Sequence, residues 1–369
     1  MDALILTNRM RTRASELGFT QSGVCPAVTP PGLDRFHQWL DAGFDGQMEY
    51  LADRREAYRT PNSVLEGCKS ILMLTMVYHT QSPEQQRLGR GRVSQYASGA
   101  IDYHDLIHAR LKKLVAFHNE LSGGTSRGVI DTAPLLEREY AQLAGLGWIA
   151  KNTMLISKTE GSWFFLAALL SDQKLTYDQP VTTDHCGSCT ACLDACPTDA
   201  FPQPYVLDAT KCISYLTIEL RSQIPKSMRE GIGDWAFGCD ICQQVCPWNN
   251  KSSQTLEPDF HTREEMEYLD LHKLFSLTDE EFRTQFRKTP LWRSKRRGVL
   301  RNAAIVLGNQ QRGESVPALE IGLTDSDPLV RAASAWALRR IANEPAMRAI
   351  ELRLPLEPDE EVARELRGG

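Results

Sequence analysis

The 369-residue chain contains no apolar run approaching the roughly 18 residues that a membrane-spanning helix needs. Its longest, Trp163 to Leu170, suits a buried strand. The N-terminus, Met-Asp-Ala-Leu-Ile-Leu-Thr-Asn-Arg, lacks the long apolar stretch of a secretory signal, so a cytoplasmic protein with no membrane partner is expected. No Gly-x-Gly-x-x-Gly follows a strand-like segment and no phosphate-binding Walker loop is present, which removes the commonest nucleotide signatures. Positive charge is not in excess. Lys and Arg number 42 against 47 Asp and Glu, a net of −5, which argues against a protein that coats nucleic acid generally.

What the chain does hold is cysteine in a particular spacing. Cys186-x2-Cys189-x2-Cys192-x3-Cys196-Pro197 is followed, after Cys212, by Cys239-x2-Cys242-x3-Cys246-Pro247. The first run has the spacing of bacterial two-cluster ferredoxins, in which three thiolates hold one 4Fe-4S cluster and the fourth crosses to the other. Tight x2 loops converge thiolates on one cube, while the x3-Cys-Pro step turns the chain away. Cys186, Cys189, Cys192 and Cys246 are therefore assigned to one cluster, and Cys196, Cys212, Cys239 and Cys242 to the other. Zinc knuckles also pair cysteines, but they explain neither the two Cys-Pro endings nor the three evenly spaced thiols. Disulfides do not suit a chain without secretory marks. Cys25 and Cys68 remain, and both read as buried small hydrophobes.

Read in order, residues 2 to 17 form an amphipathic helix, 19 to 24 a short strand and 34 to 42 a second helix. Asp53 to Arg59 reads as a loop. Ser70 to Tyr78, almost continuously apolar, is a strand buried on both faces. Gln81 to Arg92 is polar and read as loop. Tyr103 to Leu121 has helical periodicity, and Gly128 to Ile130 is a strand delivering Asp131. A helix is expected from Pro134 to about Leu146, and a hairpin from Thr153–Ser157 and Trp163–Leu169 around Glu160-Gly161. From Arg297 the chain resembles HEAT-type paired helices, with Asp327 as N-cap and Pro328 as first helical residue. Two such units are too few to stand alone, so this tail should pack on the rest. The fold class expected is α+β. An N-terminal α/β domain spans 1–180, a ferredoxin-like two-cluster domain 181–255, and a linker with HEAT-like repeats 256–369.

Two features invite a functional reading beside a plain one. Asp131, ahead of Thr132-Ala133-Pro134, can act as an acid or simply cap the following helix. Arg287 to Arg301 carries seven basic residues and no acid, either a footprint for nucleic-acid phosphates or a solvated face.

Several segments, taken together, resemble the epoxyqueuosine reductase family. They are Asp102-Tyr103-His104, the stretch from Gly128 through Asp131 to Arg138, Gly147-Trp148-Ile149-Ala150-Lys151-Asn152-Thr153, Gly161-Ser162-Trp163-Phe164-Phe165 and Lys211 to Glu219. The resemblance covers nearly the whole chain, and departs at Ala150, where the family often has glycine. It implies a cobalamin-binding N-terminal domain and reduction of epoxyqueuosine to queuosine at the tRNA wobble position, with cobalamin reduced through the two clusters. The chain has no Asp-x-His-x-x-Gly motif for a lower axial ligand, which fits the base-off cobalt that the resemblance implies. In that reading Asp131 is the proton donor, its pKa raised by burial, with Tyr103 and His104 orienting substrate or relaying the proton. Arg59, Asp131, Arg138 and Ser157 are the candidate cobalamin contacts. Arg293, Lys295, Arg296, Arg297 and Arg301 would meet the anticodon stem-loop. An electron donor must supply the clusters, and the chain is expected to act as a monomer. Alternatives are a corrinoid reductase of a small molecule, akin to reductive dehalogenases, a ferredoxin-type electron carrier, or a zinc-stabilised RNA-binding adaptor.

Overall fold

The structure, a computed structural model, describes residues 2–80 and 88–368. Its N-terminal part is built on four strands in the order β1 (Gln21–Pro26), β2 (Ser70–Val77), β7 (Phe164–Ser171) and β4 (Ser126–Val129). Every pairing in this sheet is antiparallel, so this part is itself α+β rather than the α/β expected. All eight residues of β2 are buried, as continuous apolar sequence demands of a central strand. Helices Ala3–Glu16 and Tyr103–Ser122 cover one face and Glu137–Leu143 the other. Cys25 and Cys68 lie in that second core layer, as expected of small apolar side chains.

Four local expectations fail. The hairpin does not form. β7 is recruited into the main sheet, and β6 (Leu155–Ile156) pairs instead with β5 (Trp148–Ile149), leaving one bridge between Ser157 and Gly161. An almost wholly buried strand such as β7 is better served between two neighbours than at the edge of a hairpin. The helix expected from Pro134 starts at Glu137, because residues 130–136 make successive tight turns after Asp131 takes a left-handed backbone, φ 54°. Within Gln81–Arg92, residues 81–87 lie outside the described residues, while Arg90–Val93 is not loop but strand β3. Asp53–Arg59, also expected as loop, is mostly helical turns.

β3 sits between β8 (Trp235–Phe237) and β9 (Tyr268–Asp270), one strand from each of the later segments. The first 180 residues thus lend a strand to the rest of the molecule. One continuous core runs from Val93 through Ile213, Phe237 and Leu271 to Val330 and Leu366. The tail packs on it, as two repeat units must. Asp327 caps helix Pro328–Ile341, accepting from Leu329 N at 2.9 Å. That helix crosses Lys295–Gln310 so closely at Gly308 that an added Cβ would meet Ala337 Cα at 2.9 Å. Among the described residues, no helix is long and apolar enough to cross a membrane.

Candidate active site and cluster region

Tyr103 and His104 open the helix Tyr103–Ser122, whose N-cap is Asp102. Asp102 Oδ1 accepts from His104 N at 3.0 Å and lies 2.7 Å from its Nδ1. The other ring nitrogen, Nε2, lies 3.2 Å from Asp131 Oδ2, and the same oxygen accepts from Tyr103 Oη at 2.5 Å. Asp131 comes from the far edge of the sheet, at the end of β4. Its left-handed backbone is held by its own N–H donating to Glu137 Oε1 at 3.0 Å, and Arg54 ties down the next carbonyl, Thr132 O, at 2.9 Å. Asp131 caps nothing. Its side chain keeps 42% exposure, so it faces a space that a ligand can enter.

The charges follow from these contacts. Partial burial opposes a charge on His104, yet hydrogen bonds to Asp102 and Asp131 push its pKa up to about 9. Burial also works against ionising Asp131, but the bonds from His104 and Tyr103, and the imidazolium charge, hold its carboxyl below the usual range. This corrects the expectation that burial raises Asp131. A cation paired with it outweighs its desolvation. Burial and the Asp131 charge raise Tyr103 and Glu137 well above their ordinary values. At neutral pH the proton therefore sits on His104, with carboxylates on both sides of it.

Sequence reasoning did not find Asp102 or Glu137 as parts of this network. Asp102 was legible as an N-cap, and only the fold turns it toward the imidazole. It also placed Arg293 elsewhere. Arg293 is bound to Glu219 at 2.7 Å, and its charge helps to lower both Asp102 and Asp131, so it belongs to the rim of this site.

The remaining candidates divide. Arg138 donates to Thr153 O at 2.5 Å through one nitrogen and is otherwise exposed, with donors to spare. Ser157 is 3% exposed and engaged with Gln21 and Thr159, which takes it out of reach of a cofactor. Arg59 pairs with Glu56 on the surface. In the basic run, Arg301 is fully buried. It donates to Leu216 O, Leu220 O, Ser222 O and Asn302 Oδ1, which rules it out as an RNA contact. Arg296 is largely covered and paired with Asp325 at 2.8 Å. Lys295 lies over the Trp292 ring, and Arg297, half-exposed, reaches Asp327 at 3.8 Å. The run lacks acids only in sequence. The fold supplies them from Glu219, Asp325 and Asp327.

The eight cluster-spaced thiols gather in two groups. Around Cys192 lie Cys246, Cys186 and Cys189. Cys242 neighbours Cys212 and Cys196, and Cys239 neighbours Cys212 and Cys242. Cys192 also adjoins Cys242, so the groups are adjacent. Among the described residues no three His, Cys, Asp or Glu side chains converge on a single ion. Thiolates disposed around a cube stand farther apart than ligands of one ion. The turn after β5 latches the sheet onto both groups. Lys151 Nζ donates to Gly187 O at 2.6 Å and Cys189 O at 3.0 Å, and Asn152 Nδ2 to Cys242 O at 3.2 Å.

Comparison with known proteins accords with this layout. Residues 185–249 match the family model described as a 4Fe-4S double cluster binding domain, and 291–367 that of HEAT repeats. Residues 59–132 match "Epoxyqueuosine reductase QueG, DUF1730". An epoxyqueuosine reductase of Pseudomonas aeruginosa is 39% identical over 352 residues, covering 92% of this chain and 95% of that one. A crystal structure of epoxyqueuosine reductase with a tRNA-Tyr epoxyqueuosine-modified stem loop superposes with a TM-score of 0.92 at 30% identity, over 98% of this chain and 97% of that one. A structure of the Bacillus subtilis enzyme, in which an aspartate-bearing catalytic loop is swung out of the active site, gives 0.91 at 30% identity over the same shares.

Proposed function

Because the chain belongs to the epoxyqueuosine reductase family, we propose that it reduces epoxyqueuosine to queuosine in tRNA, at the wobble position, with Asp131, His104, Tyr103 and Asp102 as its proton-handling site. The observation that carries this reading is an imidazole held between two carboxylates, one of them half-open to the space a ligand would occupy. Turning an epoxide into an alkene and water takes two electrons and two protons. The electrons enter singly through two 4Fe-4S clusters, held by Cys186, Cys189, Cys192 and Cys246 and by Cys196, Cys212, Cys239 and Cys242. An external one-electron donor supplies them.

Cobalamin is the cofactor that the family implies, and the residues present fit it. Its amide arms and phosphate call for N–H donors, which Arg138 retains after its bond to Thr153. Both nitrogens of His104 are engaged by carboxylates, so this site offers no free imidazole as a lower cobalt ligand. When bound, cobalamin supplies a strongly reducing two-electron centre beside the epoxide.

The chain's own residues handle the protons. His104 holds one at Nε2 against Asp131 Oδ2, the oxygen that also takes the Tyr103 bond. As the ring oxygen develops negative charge, Asp131 Oδ2 takes this proton from His104 and passes it on from the same oxygen, Tyr103 steadies the carboxylate, and solvent supplies the second proton. Glu137 fixes the Asp131 backbone. Arg293, Arg297 and the exposed face of Lys295 are the phosphate contacts that remain for the anticodon stem. Incubating the cluster- and cobalamin-loaded protein with tRNA from cells that lack the last queuosine step, then weighing the nucleosides, tests the reading. Queuosine is expected. Unchanged epoxyqueuosine under full loading would remove it.

A further inference from the structure

Trp148 is among the largest fully buried side chains, 1% exposed, yet its Nε1–H has no hydrogen-bond partner. A buried indole N–H without an acceptor carries a desolvation cost that native proteins seldom leave uncompensated. The Cys186 thiol packs beside it. Trp148 and Cys246 share a small apolar cluster against which Cys186 and Trp248 pack, and the Trp148 ring meets Trp248 and His185 edge-on. The indole is thus fixed in place by two aromatic neighbours, with its one donor unmet beside a cluster ligand. On the other flank Cys189 is exposed.

We propose that Trp148 donates a hydrogen bond to the Cys186 sulfur of the cluster held by Cys186, Cys189, Cys192 and Cys246, and thereby sets that cluster's reduction potential above that of an otherwise identical site. The inference rests on the assignment of those four cysteines to a 4Fe-4S cluster. One-electron reduction adds one negative charge to the cluster and brings no proton with it. A donor aimed at a ligand sulfur stabilises the more negative state more than the oxidised one. The Cys246 sulfur has backbone N–H donors from Trp248 and Asn249, whereas at Cys186 a side chain takes part. Substitution can therefore remove it. The exposed Cys189 edge marks this cluster as the one nearer solvent, so Trp148 would ease the entry of the first electron from the external donor.

The test is a dye-mediated redox titration of the full-length cluster-loaded protein, followed by electron paramagnetic resonance without tRNA. Trp148→Phe keeps a ring against Trp248 and His185 but lacks the donor. Loss of a hydrogen bond to a charged acceptor is expected to disfavour reduction roughly tenfold, a fall of about 59 mV for a one-electron couple, in one cluster only. Trp248→Phe, which alters the same packing but leaves the backbone donors, is expected to leave both potentials in place. In the unsubstituted protein, indole-15N labelling should give a hyperfine coupling to the reduced cluster that Trp148→Phe abolishes, a readout that needs no comparison of stabilities. Unchanged potentials in Trp148→Phe with full iron and sulfide, or no 15N coupling, overturn the proposal. Absence of reducible clusters in the unsubstituted protein would instead overturn the cysteine assignment beneath it.

Discussion

Asp131 and His104 show how two side chains exchange roles once their neighbours are known. An aspartate at the end of a strand is recognisable in sequence, but its ionisation depends on a helix start that lies 28 residues earlier. His104 has a folded pKa of about 9 against an ordinary 6.5, so its stabilising contribution is complete below about pH 6.5 and fades as pH rises through 9. The single-turnover rate should fall over the alkaline part of that range as the proton is lost, and His104→Gln should be slow and lack that limb. Asp131→Asn should retain clusters and tRNA binding, lower the pKa of His104 measured by NMR, and slow reduction by roughly a hundredfold or more. A rate close to that of the unsubstituted protein would leave Tyr103 and Glu137 as the groups to examine. At the clusters, Cys212→Ala should lose about half of the iron, since one of two 4Fe-4S sites loses a ligand. Cys25→Ala, in the sheet's apolar layer, should keep all of it. Iron at full stoichiometry in the Cys212 variant would break the ligand assignment.

Among the elements, the repeat helices were the most legible, because their caps and periods are local. Asp327 and Pro328 are read correctly from a short stretch of sequence, and Asp327→Ala should cost about 1 kcal/mol in a denaturant titration. The ion cluster that closes the repeats was not legible. Burial opposes a charge on Glu357, but Arg331 and Arg353, each 2.8 Å away, hold its pKa down at about 2. A depressed carboxylate stabilises fully above its ordinary value of 4.5 and loses that contribution as pH falls toward 2. Glu357→Ala, which leaves two arginines without their partner, should cost about 3–5 kcal/mol and flatten the acid limb of the stability curve. The missed hairpin has the opposite lesson. Nothing within residues 153–169 says that β7 will find β2 and β4, which come from segments tens of residues away.

The whole molecule decides which basic residues meet RNA. Arg301 lies inside the shared core, and its five N–H groups all meet protein acceptors. Arg301→Ala should therefore lower stability by about 3 kcal/mol or more, by leaving buried carbonyls unpaired. It should leave the salt dependence of tRNA binding by the folded fraction unchanged. Arg297→Glu, at an exposed position beside the repeats, should weaken binding and flatten the slope of log K against log salt, because fewer counterions are released. Equal slopes for Arg297→Glu and the unsubstituted protein would take this face out of the tRNA footprint. Because β3 joins strands from both later segments and one core spans residues 93 to 366, heat should unfold the cluster and repeat regions together. Two separated calorimetric transitions for those regions would contradict that continuity.

Sequence alone determined the features whose information is local. These are the cysteine spacing and its Cys-Pro turns, the continuously apolar β2, the capped repeat helices, and the family to which the combined motifs point. Tertiary structure decided what depends on distant partners. It turned Asp102 and Asp131 onto the two nitrogens of one imidazole, so that the proton rests on His104 rather than on Asp131. It buried Arg301 while leaving Arg297 half-exposed, although both stand in one basic run. It also set Trp148 against Cys186, across 38 residues of sequence. The physical reason is the same in each case. Covalent order and side-chain pattern specify which helices and strands form, whereas a charge, a proton or a hydrogen bond is governed by whatever the fold brings within a few ångströms of it.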